Sequence, residues 1–519
     1  MSLTFPAALD RAPMFRVSLI LEALRARPVL MFWIAALAQG TLWMLVPSLF
    51  YAAPPGDVPL VLAVGHEWML GSPYGPPLAY WLANVAFTLG GIVGVYLLSQ
   101  LCVVVTFWAV FTLGRRIVGA AHAAMAILLM AGVSVFTVPT LEFGPSVLAM
   151  PLTALTLLFG YRALADNKRS DWIAAGIALG LLLLTTYAGF IQLALMALFV
   201  VATAQGRSRL GSLGPWPAAV IVIVVFASHL YWLYRTGVSP LPALRTLPNL
   251  FMGETRLIAW GNLLLLLLFS HAGLVVLAMV AGGVLAGKRA AAPAVERLPA
   301  EPFAKAYVYY FALAPAFVAT LLAVLTERAG PIGGAGPIVV LSGLAVVVAA
   351  GDMIRLYRER ISALVWLGLL VVPPAVIMAA TVALPWTAAV DLEVSKPASA
   401  MGQFFTDTFR RRTGRPLAVV VGDVRTAGLV ALASPDRPSL YIEGSRALSP
   451  WVSDDDVREK GAVIVWPVTD ASGAPPAALK ERFPDMVAEV PRSFERSMQG
   501  RLPLLRIGWA MIRPRRSTP

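Results

Sequence analysis

Asp57, His66 and Glu67 fall within one short stretch, APPGDVPLVLAVGHEWMLGSPYGPPLAYWL (53–82), of a chain that is 58% hydrophobic and only 13% charged. A carboxylate held at a membrane surface has the chemistry of a general base, taking the proton of a hydroxyl as that oxygen attacks. Asp57 follows Pro54, Pro55 and Gly56 and precedes VPLVLAVGHEW, an apolar run too short to cross a bilayer. That is also where an N-cap belongs, with Pro59 tolerated in the first turn. A cap and a base are therefore the two readings of Asp57. His66 and Glu67 stand beside Trp68, where they read either as polar neighbours of an interfacial anchor or as the lining of a cleft. Three further acids, Glu142, Glu254 and Glu327, fall on the same side of the membrane. Glu142 suits a second acid that could hold a divalent cation, but the sequence places no second ligand, and no cofactor is expected. The Asp454, Asp455, Asp456 run reads as a solvated first helical turn. The single cysteine, Cys102, excludes an intrachain disulfide and a cysteine metal site, and GDVRTAG is too short for a phosphate-binding glycine fingerprint.

The elements that must position these groups are mostly membrane helices. A mean hydropathy of +0.76 over 519 residues predicts a polytopic membrane protein. Apolar runs at about 29–51, 93–114, 120–138, 145–163, 171–187, 189–204, 216–234, 261–286, 306–326, 334–351 and 361–384 predict eleven spans, with two interfacial helices in the first outer loop. The net charge of +13 does not indicate nucleic acid, because the basic residues sit in clusters between spans. Eighteen, from Arg11 and Arg16 through Arg115, Arg116, Lys168 and Arg169 to Arg355, Arg358 and Arg360, lie on one side. Arg235, Arg245, Arg256 and Arg328 lie on the other. That asymmetry predicts a cytoplasmic N-terminus and an outward C-terminus. The first apolar run lacks a small-residue cleavage site and reads as an uncleaved lead-in to the first helix. No span carries a charge in its interior, which weighs against an ion-coupled transporter. After about residue 390 the runs PLAVVVGD, SLYIEG and GAVIVWP predict a small α/β domain over 391–519, following a membrane domain over 1–390.

The pattern D-(eight residues)-H-E-W-x-L-G-x-x-x-G-P-P-L-x-x-W-L, after one membrane helix, resembles the first outer loop of family 39 glycosyltransferases of the GT-C group. The bacterial aminoarabinose transferases and the protein mannosyltransferases are members of that group. The resemblance continues in HLYWL (229–233), in ALAPAFVATLLAVLTERAGPIGGAGP (312–337) and in GLVALASPDRPSLYIEGSRALSPWVSDDDVREKGAVIVW (428–466). It implies a GT-C membrane fold in the inner membrane with a periplasmic C-terminal domain that shapes the acceptor entrance. It also implies inverting transfer of a sugar from a polyprenyl-phosphate donor to an envelope lipid or glycan. Asp57 matches the family's first-loop Asp and is the implied base. Arg245, Arg256 and Arg328 are candidates to meet the anionic leaving group, each with the alternative of an arginine snorkelling to the interface. His66, Glu67, Tyr74 and Trp81 are candidates to line the sugar or acceptor cleft. Three positions depart from the pattern. VPL follows Asp57 where a second acid is common, Glu142 stands where a basic residue is expected, and Thr186 stands where lysine is common. Two other functions remain open on the residues: a lipid-linked saccharide flippase, and a noncatalytic protein whose C-terminal domain binds a partner.

Overall fold

The computed structural model describes Glu22 and residues 26–238, 254–282, 294–326, 331–357, 359–468 and 473–515. The membrane half begins with α1 (Pro28–Phe50), followed by the nine-residue α2 (Val58–His66). Next comes the 53-residue α3 (Leu78–Met130), whose helical backbone breaks at Gly90, Gly91 and Gly119. Gly91 and Gly119 have φ of 60° and 78°, and such breaks are where a continuous helix turns a corner. α3 thus holds the second piece of the first loop and the two apolar runs after it, as helical segments that turn at these glycines.

α4 (Pro145–Asp166), α5 (Arg169–Leu183), α6 (Ala188–Ala202), α7 (Ala204–Leu210) and α8 (Pro215–Thr236) follow. α9 (Glu254–Ser270), α10 (Ala272–Ala281) and α11 (Pro302–Thr326) continue the bundle. α12 (Gly336–Val339), α13 (Ser342–Ala349) and α14 (Glu359–Thr387) complete it. β1 (Ala294–Glu296) and β2 (Met353–Arg355) pair antiparallel beside Asp166, at the end of α4 that lies away from Glu142. Every apolar run read from the sequence coincides with a helix or a pair of helices. By length and apolarity alone, seven described helices suffice to cross a membrane, or eight if the bent α6–α7 pair is one span. The difference from eleven has a physical reason: α3 counts once although it holds two of the runs, and α5, α6 and the α12–α13 stretch are each too short by themselves to meet the length of a span.

The C-terminal domain is a five-stranded sheet of order β4-β3-β5-β7-β6, preceded by α15 (Ala398–Thr413). β3 (Val419–Gly422) pairs parallel with β4 (Ser439–Ile442) and with β5 (Ala462–Pro467). β7 (Leu505–Ile512) runs antiparallel between β5 and β6 (Val487–Phe494). α16 (Ala427–Ala433) and α17 (Asp454–Lys460) make the crossovers that parallel strands require. β3 and β5 are buried on both faces, which explains why VVV and AVIVW read as unbroken apolar runs.

The two halves meet at α2. α16 packs on α2 so closely that a Cβ on Gly428 would lie 3.3 Å from Pro59 Cβ, tighter than ordinary side-chain contact. The Arg437 guanidinium stacks 4.4 Å over the Phe87 ring of α3, a cation–π contact that joins the domain to the membrane half. Ala52 and Ala53 both donate backbone N–H groups to Val394 O, at 2.9 and 3.1 Å, tying the turn before Asp57 to the linker that enters the C-terminal domain.

Candidate active site

Asp57 terminates the Pro54–Gly56 turn at the start of α2. Gly56 takes φ +53°, and Asp57 O accepts the Val61 N–H at 2.9 Å, so the backbone here is a helix start. The Asp57 side chain makes no capping hydrogen bond and is exposed. Capping therefore does not occupy the carboxylate.

Its partner in the site is Glu142. A Cβ placed on Gly56 would fall within the Glu142 carboxylate, with even the farther oxygen, Oε1, 2.8 Å away. Glycine at position 56 therefore gives both the left-handed turn and the space for that carboxylate. Glu142 as a whole is exposed, yet its carboxyl end lies against the Gly56 backbone, where part of its hydration is lost. Burial first, then the negative charge of Asp57, then that of Glu393 push the Glu142 pKa up, and Arg425 opposes them. Burial and the same Glu142 charge raise the Tyr51 phenol at the end of α1. Arg425 in turn forms an ion pair with Glu393. The result is a polar bay at the membrane surface: Asp57, Glu142 and Tyr51 from the membrane half, Glu393 and Arg425 from the linker and the C-terminal domain.

What fixes Glu142 is the irregular segment before α4, two 3-10 turns at Ser134–Phe136 and Val138–Leu141. Membrane helices hold it by polar side chains. Gln39 Nε2 of α1 donates to Phe136 O at 2.8 Å, and Gln100 Nε2 of α3 donates to Thr140 Oγ1 at 3.1 Å. Ser99 Oγ donates to Thr140 O. Leu141 is buried against Trp43 and Val46 of α1. Inside hydrocarbon such amides and hydroxyls need partners, and here the unwound loop supplies them. Gln39, Ser99, Gln100 and Tyr51 were not singled out from the sequence. A glutamine or serine within an otherwise apolar span was the available signal.

The other expected residues lie elsewhere. His66 and Glu67 are at the far end of α2, roughly 14 Å along the axis for nine residues of helix. They face the C-terminal domain. The His66 pKa is lowered by burial and then by Arg437. That of Glu67 is raised by burial, against a Ser439 hydrogen bond and the Lys460 charge. Tyr74 packs between the two hydrophobic cores, and burial with the nearby Glu443 charge pushes its phenol up to about 12. Trp81 Nε1 donates to Met69 O at 3.0 Å, and the ring stacks on Trp68 at 6.3 Å. The structure thus brings Asp57 and Glu142 together and sets His66 and Glu67 at the other end of α2.

The HLYWL motif has a clear local task. His229 Nδ1 meets Leu70 O at 3.0 Å, His229 Nε2 meets the Tyr187 hydroxyl at 3.0 Å, and Trp232 stacks on the imidazole. Gly71 abuts both rings, so α8 clamps the second half of the first loop. Thr186 is buried, and its Oγ1 accepts the Ala188 N–H at 3.3 Å, serving the start of α6. Arg256 is buried in the first turn of α9, the helix that contacts the Ser134–Phe136 turn. Arg245 and Arg328 lie outside the described residues, as does Glu327, and so does the Glu254 side chain. Among the described residues no group of three His, Cys, Asp or Glu side chains is placed to hold a metal ion. Beside Glu393 and Arg425, a polar cavity of about 400 Å³ opens in the C-terminal domain, lined by Asp391, Lys396, Thr426, Arg496 and Arg506. Arg496 is paired with Asp391 at 3.0 Å.

Residues 74–232 match the family model described as dolichyl-phosphate-mannose-protein mannosyltransferase. Among solved structures, the chain aligns with ArnT from Cupriavidus metallidurans bound to undecaprenyl phosphate, at TM-score 0.58 and 14% identity, over 95% of this chain and 99% of that one. The apo form of the same ArnT aligns at TM-score 0.46 and 15% identity over the same shares. The oligosaccharyltransferase of Archaeoglobus fulgidus in its apo form aligns at TM-score 0.44 and 15% identity, over 79% of this chain and 65% of that one. Only the first is near enough to establish the fold. No curated protein matches the chain by sequence. A protein-mannosyltransferase sequence pattern from the first loop to α8, on a fold shared with ArnT over nearly the whole length, makes this chain a membrane protein of GT-C fold that resembles the aminoarabinose transferases.

Proposed function

We propose that the protein is an inverting glycosyltransferase. It moves a sugar from a polyprenyl-phosphate donor to an envelope lipid or glycan, at the membrane face that carries the C-terminal domain. That face is the outer, periplasmic one, as the distribution of basic residues argues. The observation that carries this reading is the Asp57 carboxylate, exposed, uncapped and set beside Glu142 at the membrane surface. Donor and acceptor are both amphiphiles delivered to that surface.

The acceptor hydroxyl attacks the anomeric carbon on the face opposite the phosphate. Asp57 takes the hydroxyl proton, the new C–O bond forms, and the bond to the phosphate oxygen breaks with its electron pair, releasing polyprenyl phosphate. Two neighbouring carboxyls whose environments differ divide acid and base work. Glu142, with its pKa raised by burial and by Asp57, is the one that holds a proton at higher pH and donates a hydrogen bond to the sugar. Arg256, on the α9 side of the Glu142 loop, is our candidate to meet the donor phosphate, with Arg245 and Arg328 as the further candidates. The basic cavity beside Glu393 suits an acceptor that carries an anionic group.

Purified protein in lipid nanodiscs, given a panel of radiolabelled undecaprenyl-phosphate sugars and an envelope-lipid extract, should transfer label from at least one donor. Asp57→Asn should lower that transfer by about 10²-fold or more, the usual worth of a positioned base. Label crossing the bilayer without transfer would instead identify a flippase. Neither activity with any donor would identify a noncatalytic protein.

A further inference from the structure

The membrane face remote from Asp57 holds a cavity of about 240 Å³ that the chemistry above does not use. α12 and α13 run from the Gly333–Gly334 turn, which packs on Thr186 and Ser146, across to the β1–β2 hairpin. The cavity lies at that far end, between α3, α10, α13 and α14. Small residues make the space. Ala278, Ala281 and Gly282 form one wall, and Ala350 and Ala363 others, so the helices meet without side chains that close the seam.

A pocket this apolar is filled by hydrocarbon rather than water. Its few polar atoms say what else the occupant carries. Ser362 Oγ and Trp366 Nε1, one turn apart on α14, both line the cavity, and both are buried without a hydrogen-bond partner. A hydroxyl and an indole N–H in that position call for acceptor atoms. At the rim stands Arg355 of β2, exposed and with no ion pair or hydrogen bond among the described residues. An apolar slot, two donors awaiting acceptors and an unpaired guanidinium at the membrane edge fit one kind of molecule. Its acyl chain enters the slot, its ester carbonyls accept from Ser362 and Trp366, and its phosphate meets Arg355. We infer that this cavity binds an anionic glycerophospholipid of the leaflet opposite the Asp57 bay.

The test uses the full chain reconstituted in nanodiscs of equal parts phosphatidylglycerol and phosphatidylcholine, extracted into mild detergent and read by native mass spectrometry. The wild type should retain phosphatidylglycerol over phosphatidylcholine by about tenfold, an affinity difference of the size one charge-assisted contact confers. Arg355→Glu, on the exposed rim, should abolish that preference. Ala363→Phe should fill the slot and lose the bound lipid, while Leu364→Phe, on the 64% exposed outer side of α14, should keep it. Thermal unfolding of each variant separates lipid loss from misfolding, and Gly282→Leu replaces Ala363→Phe if the latter does not fold. Equal retention of both lipids by the wild type, undiminished retention by the filled variants, or preferential retention of added undecaprenyl phosphate would each overturn the assignment.

Discussion

Gly56→Ala perturbs the proposed chemistry by displacing the Glu142 carboxylate while leaving both acidic residues in the chain. Residue 56 sits at φ +53°, where an alanine costs about 1–2 kcal/mol of backbone strain. The new methyl would also occupy the place of the Glu142 carboxylate. Glu142 is exposed and its side chain flexible, so the carboxylate should swing outward and add little to the folding cost. The catalytic cost is separate. A hydrogen bond from the neutral Glu142 carboxyl to the sugar is worth about 0.5–1.5 kcal/mol, which is roughly two- to tenfold in rate. The assay is sugar transfer in nanodiscs for Gly56→Ala, Glu142→Ala and the double variant, with thermal unfolding measured alongside. Because the methyl acts by displacing Glu142, the double variant should be no slower than Glu142→Ala beyond about 0.5 kcal/mol in activation free energy. Full activity in Gly56→Ala, or losses that simply add, would show that the Glu142 carboxylate is not held against Gly56 during turnover.

Glu142→Gln tests the electrostatics of the pair. A carboxyl whose native pKa is raised stabilises the fold below its unfolded value and loses that contribution as pH rises through the native value. The wild type should therefore lose some thermal stability just above the ordinary carboxylate range, and Glu142→Gln should not, as a melting series across pH will show. Gln100→Leu removes the donor that holds Thr140. It should cost about 1–2 kcal/mol of stability by leaving Thr140 underpaired, and slow transfer more than it weakens donor binding, read as kcat against KM. Arg437→Ala should remove about 0.5–1 kcal/mol of docking between the C-terminal domain and Phe87, seen as faster protease cleavage at the linker near residue 391.

The membrane architecture was legible because its physics is coarse. Long apolar runs between basic clusters specify helices whatever their neighbours, and all eleven runs found helices. The turn between the runs 93–114 and 120–138 was legible as well, for at Gly119 the backbone leaves the helix with φ 78° and ψ 166°. The C-terminal strands were legible for a similar reason, with VVV and AVIVW buried on both faces. The site was legible only in part. Asp57 could be picked out because a carboxylate after Pro54, Pro55 and Gly56 in an apolar chain has few purposes. Glu142 could be named as a second acid on the same side but not paired with Asp57, because it is 85 positions away and joins it through a turn that Gln39, Ser99 and Gln100 hold from within the membrane. His66 and Glu67 show the converse: nearness to Asp57 in sequence put them at the other end of α2, against a domain that begins more than 300 residues later.

The most direct measurement is a single-turnover transfer assay with Asp57→Asn, in which radiolabelled donor binding and product formation are followed in the same nanodiscs. The account predicts donor bound as in the wild type and product formed about 10²-fold or more slower, with the variant's unfolding temperature unchanged. Product formed at the wild-type rate would remove the Asp57 carboxylate from the reaction and contradict the mechanism proposed for this fold.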